Sequence, residues 1–152
     1  MMRTIHRDIV GIVVVSKDGK ILHGMQDPKT SMHPDCWIIP GGGMNDDETK
    51  EDAMIRELKE ETGLDISPYA LEFLGNSRTA VFEKVLRTTG EKVLCDMTFY
   101  DFRVMIPLQS GDISVHPSDD LIECKWIGIE ELQNFKLPPP SIELFRKLGY
   151  IA

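Results

Sequence analysis

The densest chemistry in the chain lies between Gly41 and Leu64, in the stretch GGGMNDDETKEDAMIRELKEETGL. Glu57, Glu60 and Glu61 are spaced i, i+3 and i+4, which at about 100° per residue places them on one side of a helix together with Ala53. Three convergent carboxylates suit a hard divalent cation, Mg²⁺ or Mn²⁺, which takes further oxygens from water and from a phosphate. Like charges so spaced cost an isolated helix about 0.2–0.5 kcal/mol per pair, and only Arg56, four before Glu60, offsets them locally. Something positive is therefore expected on that face. Gly41, Gly42 and Gly43 precede it, and with no Cβ in the way their backbone groups can approach such a site. A cation held there would neutralise phosphate oxygens and lower the pKa of a water, so the chemistry indicated is attack on phosphate esters or anhydrides.

A glutamate-rich helix is most often a solvated face, and a glycine run by itself says little. The combined spacing is far more specific. Gly42, Glu48, Arg56-Glu57-Leu58, Glu60-Glu61 and Gly63-Leu64 fall at the intervals of the Nudix box, and the stretch resembles that box at every specified position. A chance match in a chain of this size would be on the order of 10⁻⁷ or rarer. The resemblance extends less sharply through Trp37-Ile38-Ile39-Pro40 before the box and through Glu123 and Trp126 near the end.

Several expectations follow from that resemblance. The fold implied is an α/β/α sandwich around a central mixed β-sheet. The activity implied is Mg²⁺-dependent hydrolysis of the diphosphate bond in a nucleoside diphosphate linked to another group. Carried over residue by residue, Glu57 and Glu61 would be the principal metal ligands, Glu60 a further ligand or the general base, and the Gly42 carbonyl an additional oxygen. Arg56 would orient a glutamate, and Glu48 would pair with Arg56 or bind a second metal through water. Family members also recruit a carboxylate from the segment before the last strand. Asp119, Asp120 and Glu123 are the candidates, with Asp120 and Glu123 preferred. A homodimer is compatible with family analogy.

The substrate is less sharply indicated. A nucleoside triphosphate or an oxidised nucleotide is the first expectation, and a nucleotide sugar or ADP-ribose the alternative. Residues 78–82 carry neither the proline of ADP-ribose enzymes nor the tyrosine of dinucleoside-polyphosphate enzymes a little further on, which lowers both readings. Phe82, Phe99, Tyr100 and Phe102 could stack a base, although alternating aromatics in a strand are more often core. Arg78, Lys84 and His33 are possible phosphate contacts or ordinary surface groups. From other classes come a non-catalytic nucleotide-binding sensor, an isoprenoid-diphosphate isomerase that would need Cys36 near the metal, and a purely structural acidic helix. The intact glutamates argue against the sensor.

The elements that must position these residues are legible in outline. Thr49 caps the helix with Asp52 at N3, and Gly63 stops it. Met54, Ile55, Leu58 and Thr62 form the side expected to pack on a sheet. Residues 9–16, IVGIVVVS, read as a strand buried on both faces. Residues 17–20 turn the chain, and 21–25 return as a hairpin partner. Residues 26–35 form a loop, and 36–40 a short strand leading to the glycines, with Trp37 packing beneath the site. Residues 69–76 and 79–86 read as separate strand segments, 87–91 as a turn, and 92–106 as a long strand. A loop over 107–120 could border a ligand cleft. A strand over 121–128, a short helix over 129–135 and a terminal helix over 141–148, capped by Ser141 and stopped by Gly149, complete the chain. Pro138, Pro139 and Pro140 lead into the last helix.

The bulk properties are those of one globular domain spanning residues 1–152, with 41% hydrophobic and 28% charged residues. No apolar run approaches the ~20 residues of a membrane span, and residues 1–8 lack the apolar core of a secretory signal, so a cytoplasmic protein is expected. Cys36, Cys95 and Cys124 are odd in number and scattered, which argues against a disulfide framework. A formal charge of −8 disfavours nonspecific binding to nucleic-acid backbones while leaving room for a small nucleotide held through metal.

Overall fold

The computed structural model describes residues 2–29, 31, 33–86 and 88–152, and of Ser77 and Arg78 the backbone alone. Arg87, expected in a turn, and the Arg78 side chain, a candidate phosphate contact, lie outside the described residues.

The centre of the fold is β1 (Arg3–Val15), which runs parallel to β5 (Lys92–Met105) over their whole length, from Arg3 opposite Val93 to Val15 opposite Met105. β4 (Glu72–Val85) lies antiparallel outside β5. On the other side, β2 (Lys20–Gln26) pairs with β1 through a hairpin and with β6 (Leu121–Gly128), giving the order β4-β5-β1-β2-β6. The sheet is therefore mixed. Its two faces explain the unbroken apolar run of β1. Val10, Ile12 and Val14 pack with Leu22, Met54, Leu58, Phe102 and Val104 beneath helix α1 (Lys50–Thr62). Val13 and Val15 pack on the opposite face with Ile21, Ile127, Leu132, Leu144 and Phe145, beneath helix α2 (Pro139–Lys147). A side chain at every position of such a strand leaves water, so alternation disappears.

Helix α1 has the expected ends. The Thr49 hydroxyl accepts from the Asp52 N–H at 3.1 Å, and Gly63 takes the left-handed conformation, φ 76°, while its N–H closes on the Lys59 carbonyl. Ala53, Met54, Leu58, Glu61 and Thr62 are buried, and Ile55 is partly so.

Five local differences from the sequence reading have physical causes. β1 begins six residues earlier than its apolar run, because residues 3–8 are held by pairing with β5 while their polar side chains face outward. The three glycines form a short strand, β3 (Gly41–Gly43), antiparallel to β1 with Val10 opposite Gly42, while residues 36–40 supply only a single bridge from Ile38 to Gly24. Residues 69–76 and 79–86 yield one strand, β4, whose register shifts around Gly75 account for the apparent break. The short helix after β6 is 3-10, Ile129–Asn134. Finally, α2 starts at Pro139 with no side-chain cap. Pro139 and Pro140 occupy its first turn, where no N–H is needed, so Ser141 lies inside the helix, buried.

Candidate functional site

The site is assembled where β3 passes under α1. Gly42 sits directly below Glu57: a Cβ built on Gly42 would overlap the Glu57 carboxylate. The absence of a side chain there is what lets helix and strand close on one another. Glu57 is half-buried, and burial pushes its pKa up in spite of the neighbouring Arg56. Glu60, one turn along, is exposed. Asp119, from the turn before β6 and itself in a left-handed conformation with φ 58°, completes a group with these two in which one carboxylate oxygen from each lies within 4.8 Å of the others.

Arg56 organises this group. Its Nε and Nη2 donate to both oxygens of Glu48 at 2.7 Å, its Nη1 donates to Glu57 at 3.0 Å and to Glu60 at 3.2 Å, and Nη2 also reaches the Gly43 carbonyl at 3.1 Å. The planar fork of a guanidinium can meet all these acceptors together. The Glu48 carboxylate, held by Arg56 and by the Asn45 N–H, is drawn down to about 2. The same ion pairs, Glu48 first, push the Arg56 guanidinium above its usual range. Arg56 is thus fully committed to orienting carboxylates.

Glu61 occupies a different environment. It is buried, accepts from the Gly41 N–H at 2.8 Å and contacts Asp120; burial first and Asp120 second push it up to about 10. Asp120 in turn accepts from the Gln26 side-chain amide at 3.1 Å. Consecutive aspartates therefore serve opposite sides: Asp119 joins Glu57 and Glu60, while Asp120 joins Glu61. Glu123 lies on β6 opposite Met25, exposed and apart from both groups.

Beside these carboxylates opens a cleft of about 300 Å³. Its walls are mostly apolar, with Ile9, Ile39, Pro40, Met97, Phe99 and Pro138 among them, and Gly41, Gly42 and Asp120 border it on the carboxylate side. His33 and Gln26 bring polar groups to it. Of the aromatic candidates, only Phe99 lines the cleft. Phe102 is core, Tyr100 lies beneath the Lys50 ammonium at 4.6 Å, and Phe82 and Lys84 stand further along the β4 strand. Trp37 packs with the cluster under α2, and Cys36 is buried outside the cleft lining. Of the three carboxylate candidates Asp119, Asp120 and Glu123, the one that joins Glu57 and Glu60 is Asp119, not either of the two the sequence reading prefers. A further residue, Arg7, carried no signal at all: it is exposed, and its guanidinium lies over Gly43, where any Cβ would strike it. Only the register of β1 against β3 brings it there.

The donor set fits a hard divalent cation. Three carboxylates converge from a helix and a turn, with one guanidinium to balance them, and oxygen is the only ligand type offered.

Comparison with known proteins agrees with this geometry. The NUDIX domain model matches residues 5–148, and the chain belongs to the Nudix family. Among curated relatives, the RNA pyrophosphohydrolase of Hydrogenovibrio crunogenus is 38% identical over 73 residues, which cover 48% of this chain and 40% of that protein. This chain is thus matched to well under half the length of that relative. Among solved structures, the MutT protein from Methanosarcina mazei Go1 superposes with a TM-score of 0.72 at 20% identity, covering 98% of this chain and 96% of the other. The Escherichia coli dihydroneopterin triphosphate pyrophosphohydrolase gives 0.65 at 17% identity, covering 92% of each. At such identities these structures speak to the fold, an α/β Nudix fold.

Proposed function

We propose that this chain is an enzyme that cleaves a diphosphate bond in a nucleoside triphosphate or an oxidised form of one, using Mg²⁺ held by Glu57, Glu60 and Asp119. The observation that carries the reading is the junction of the carboxylate group with the apolar cleft across Gly41 and Gly42: one end suits a metal-bound polyphosphate and the other a nucleoside. A divalent cation in that group would neutralise phosphate oxygens and generate a nucleophilic water at neutral pH.

The chain's own residues have separable tasks. Arg56 holds Glu57 and Glu60 in place and is itself anchored by Glu48, so these two are positioning residues. Glu60, exposed and bound on one oxygen by Arg56, has its other oxygen for the cation or for a proton from the attacking water. Glu61, buried, and Asp120, exposed at the cleft, either support the Gly41 backbone or provide oxygens for a further cation with the Gly42 carbonyl. Arg7 supplies a cation beside Gly43 for a phosphate that reaches past the metal. Phe99, Ile9 and Met97 offer the base an apolar wall, and His33 a polar group at the rim. The setting proposed is the cytoplasm.

A second reading has support in the relatives named RNA pyrophosphohydrolase: the substrate would be the 5′-triphosphate end of an RNA. The formal charge of −8 restricts such binding to the first nucleotides, since a long backbone gains nothing from an acidic surface. Both readings are tested by one panel containing nucleoside triphosphates, oxidised nucleotides, nucleotide sugars, ADP-ribose and a 5′-triphosphorylated oligoribonucleotide, each assayed for phosphate and pyrophosphate release with Mg²⁺ or EDTA. Mg²⁺-dependent release from a triphosphate is expected. Exclusive turnover of sugar-linked or ADP-ribose substrates would overturn the proposal.

A further inference from the structure

We propose that the free edge of β4 is a two-fold interface joining two copies of this chain, with Glu83 on the axis. β4 is the outermost strand, and the bond from the Leu86 N–H to the Glu91 carbonyl at 2.8 Å fixes which of its backbone groups face β5. Counting back in twos, residues 84, 82 and 80 also face β5, so Val85, Glu83, Val81 and Thr79 turn their N–H and carbonyl groups outward. Exposed edges of soluble proteins are ordinarily blunted by bulges, prolines or charged side chains, lysine above all. The half of β4 near Gly75, φ 120°, has such irregularities; residues 79–85 have neither bulge nor proline, and their two charges, Glu83 and Lys84, are of opposite sign. They also carry two of the most exposed large apolar side chains in the molecule, Val81 at 62% and Val85 at 58%.

The sequence of this edge is self-complementary in one register. A two-fold axis normal to the sheet keeps the faces aligned and lets only outward-turned residues exchange bonds. With Glu83 on the axis, Val81 meets the partner's Val85 and Val85 meets the partner's Val81, so one operation covers both exposed valines. On the other face Phe82 meets the partner's Lys84, an arrangement suited to a cation on an aromatic ring. The two Glu83 carboxylates approach each other, but each already has Lys92 at 3.4 Å in its own copy, so the axis is crossed by alternating charges. Moving the axis to Phe82 would set each Val81 against a Glu83, and moving it to Val81 would take each Val85 away from an apolar partner. The edge thus selects a second copy of itself, in a single register.

Sedimentation velocity on the full chain is expected to show dimer growing with concentration through the micromolar range. Val81→Lys combined with Val85→Lys places lysines against lysines across the axis and should leave a monomer with unchanged circular dichroism and unchanged phosphate release, because neither residue belongs to the carboxylate site. Glu83→Cys should give a disulfide-linked dimer on mild oxidation, since paired residues of a hydrogen-bonded antiparallel pair lie about 5.5 Å apart at Cα, within disulfide range. Wild-type protein, with its own cysteines, and the Val81→Cys variant should not cross-link. A wild-type chain that stays monomeric to millimolar concentration would overturn the proposal, as would a dimer that survives the double lysine substitution or cross-linking at Phe82→Cys in place of Glu83→Cys.

Discussion

Glu57 and Glu61 stand four residues apart on one helix, yet their surroundings are opposite: the first shares a solvent-facing group with Glu60 and Asp119, the second is buried against the Gly41 backbone. Replacing Glu57 or Glu60 with Gln is expected to lower kcat by at least ~10²–10³-fold with the fold intact, the order found when a single preorganised electrostatic contact is removed. Asp119→Asn should fall in the same direction and Glu123→Gln should change little; turnover at saturating Mg²⁺ checks all four. His23 gives a second residue-scale prediction. It is wholly buried, its Nδ1 is 3.0 Å from the Ile21 carbonyl, its Nε2 has no partner among the described residues, and burial lowers its pKa to about 4. Between about pH 6.5 and 4 the unfolded chain binds a proton that the folded chain refuses, so stability falls as pH falls across that window, by about 3 kcal/mol in total. His23→Leu should flatten this part of the stability curve in urea titrations. An unaltered slope would assign the acid sensitivity elsewhere.

At the scale of elements, β3 and α1 form one device. The strand brings backbone groups to the helix face, and the lack of side chains on Gly42 and Gly43 leaves room for the Glu57 carboxylate and the Arg7 guanidinium. Gly42→Ala is accordingly expected to displace Glu57 and weaken apparent Mg²⁺ affinity by about 10–100-fold, as changes in groups supporting metal ligands do. Gly43→Ala should act through Arg7 and show mainly as a raised KM, with the Mg²⁺ requirement less affected. Mg²⁺ titrations of initial rate, set beside substrate titrations, separate the two. Equal effects of both variants on both constants would mean that the strand has simply moved.

For the whole molecule, the carboxylate group is a repulsion that folding must accommodate and that a bound cation would relieve. Mg²⁺ at a hundredfold excess over its Kd should add about 2.7 kcal/mol to the folded state, raising Tm by about 5–10 °C in a chain of this length. Asp119→Asn together with Glu60→Gln should abolish most of that rise while leaving the metal-free Tm equal or higher. Differential scanning calorimetry with Mg²⁺ and with EDTA measures both. Among the described residues no helix is long and apolar enough to cross a membrane.

The local order of the residues was enough to determine the helix, its caps and the carboxylate spacing, because capping and a 3.6-residue period act within a few positions. It was enough also for the buried half of β1, whose apolar run has no other use, and for the mixed sheet between two helical layers. The family pattern named Glu48, Arg56, Glu57 and Glu60, and these do form one bonded set. What tertiary structure decided was partnership at long range. Whether Asp119 or Asp120 turns toward Glu57, whether Glu61 faces water or the β3 backbone, and whether Arg7 reaches Gly43 all depend on strand register and on the turn before β6, where neighbouring residues give no periodic signal. Pairing with β5 likewise extended β1 through residues whose side chains carry no hydrophobic pattern, since backbone hydrogen bonds hold a strand without regard to what its side chains face.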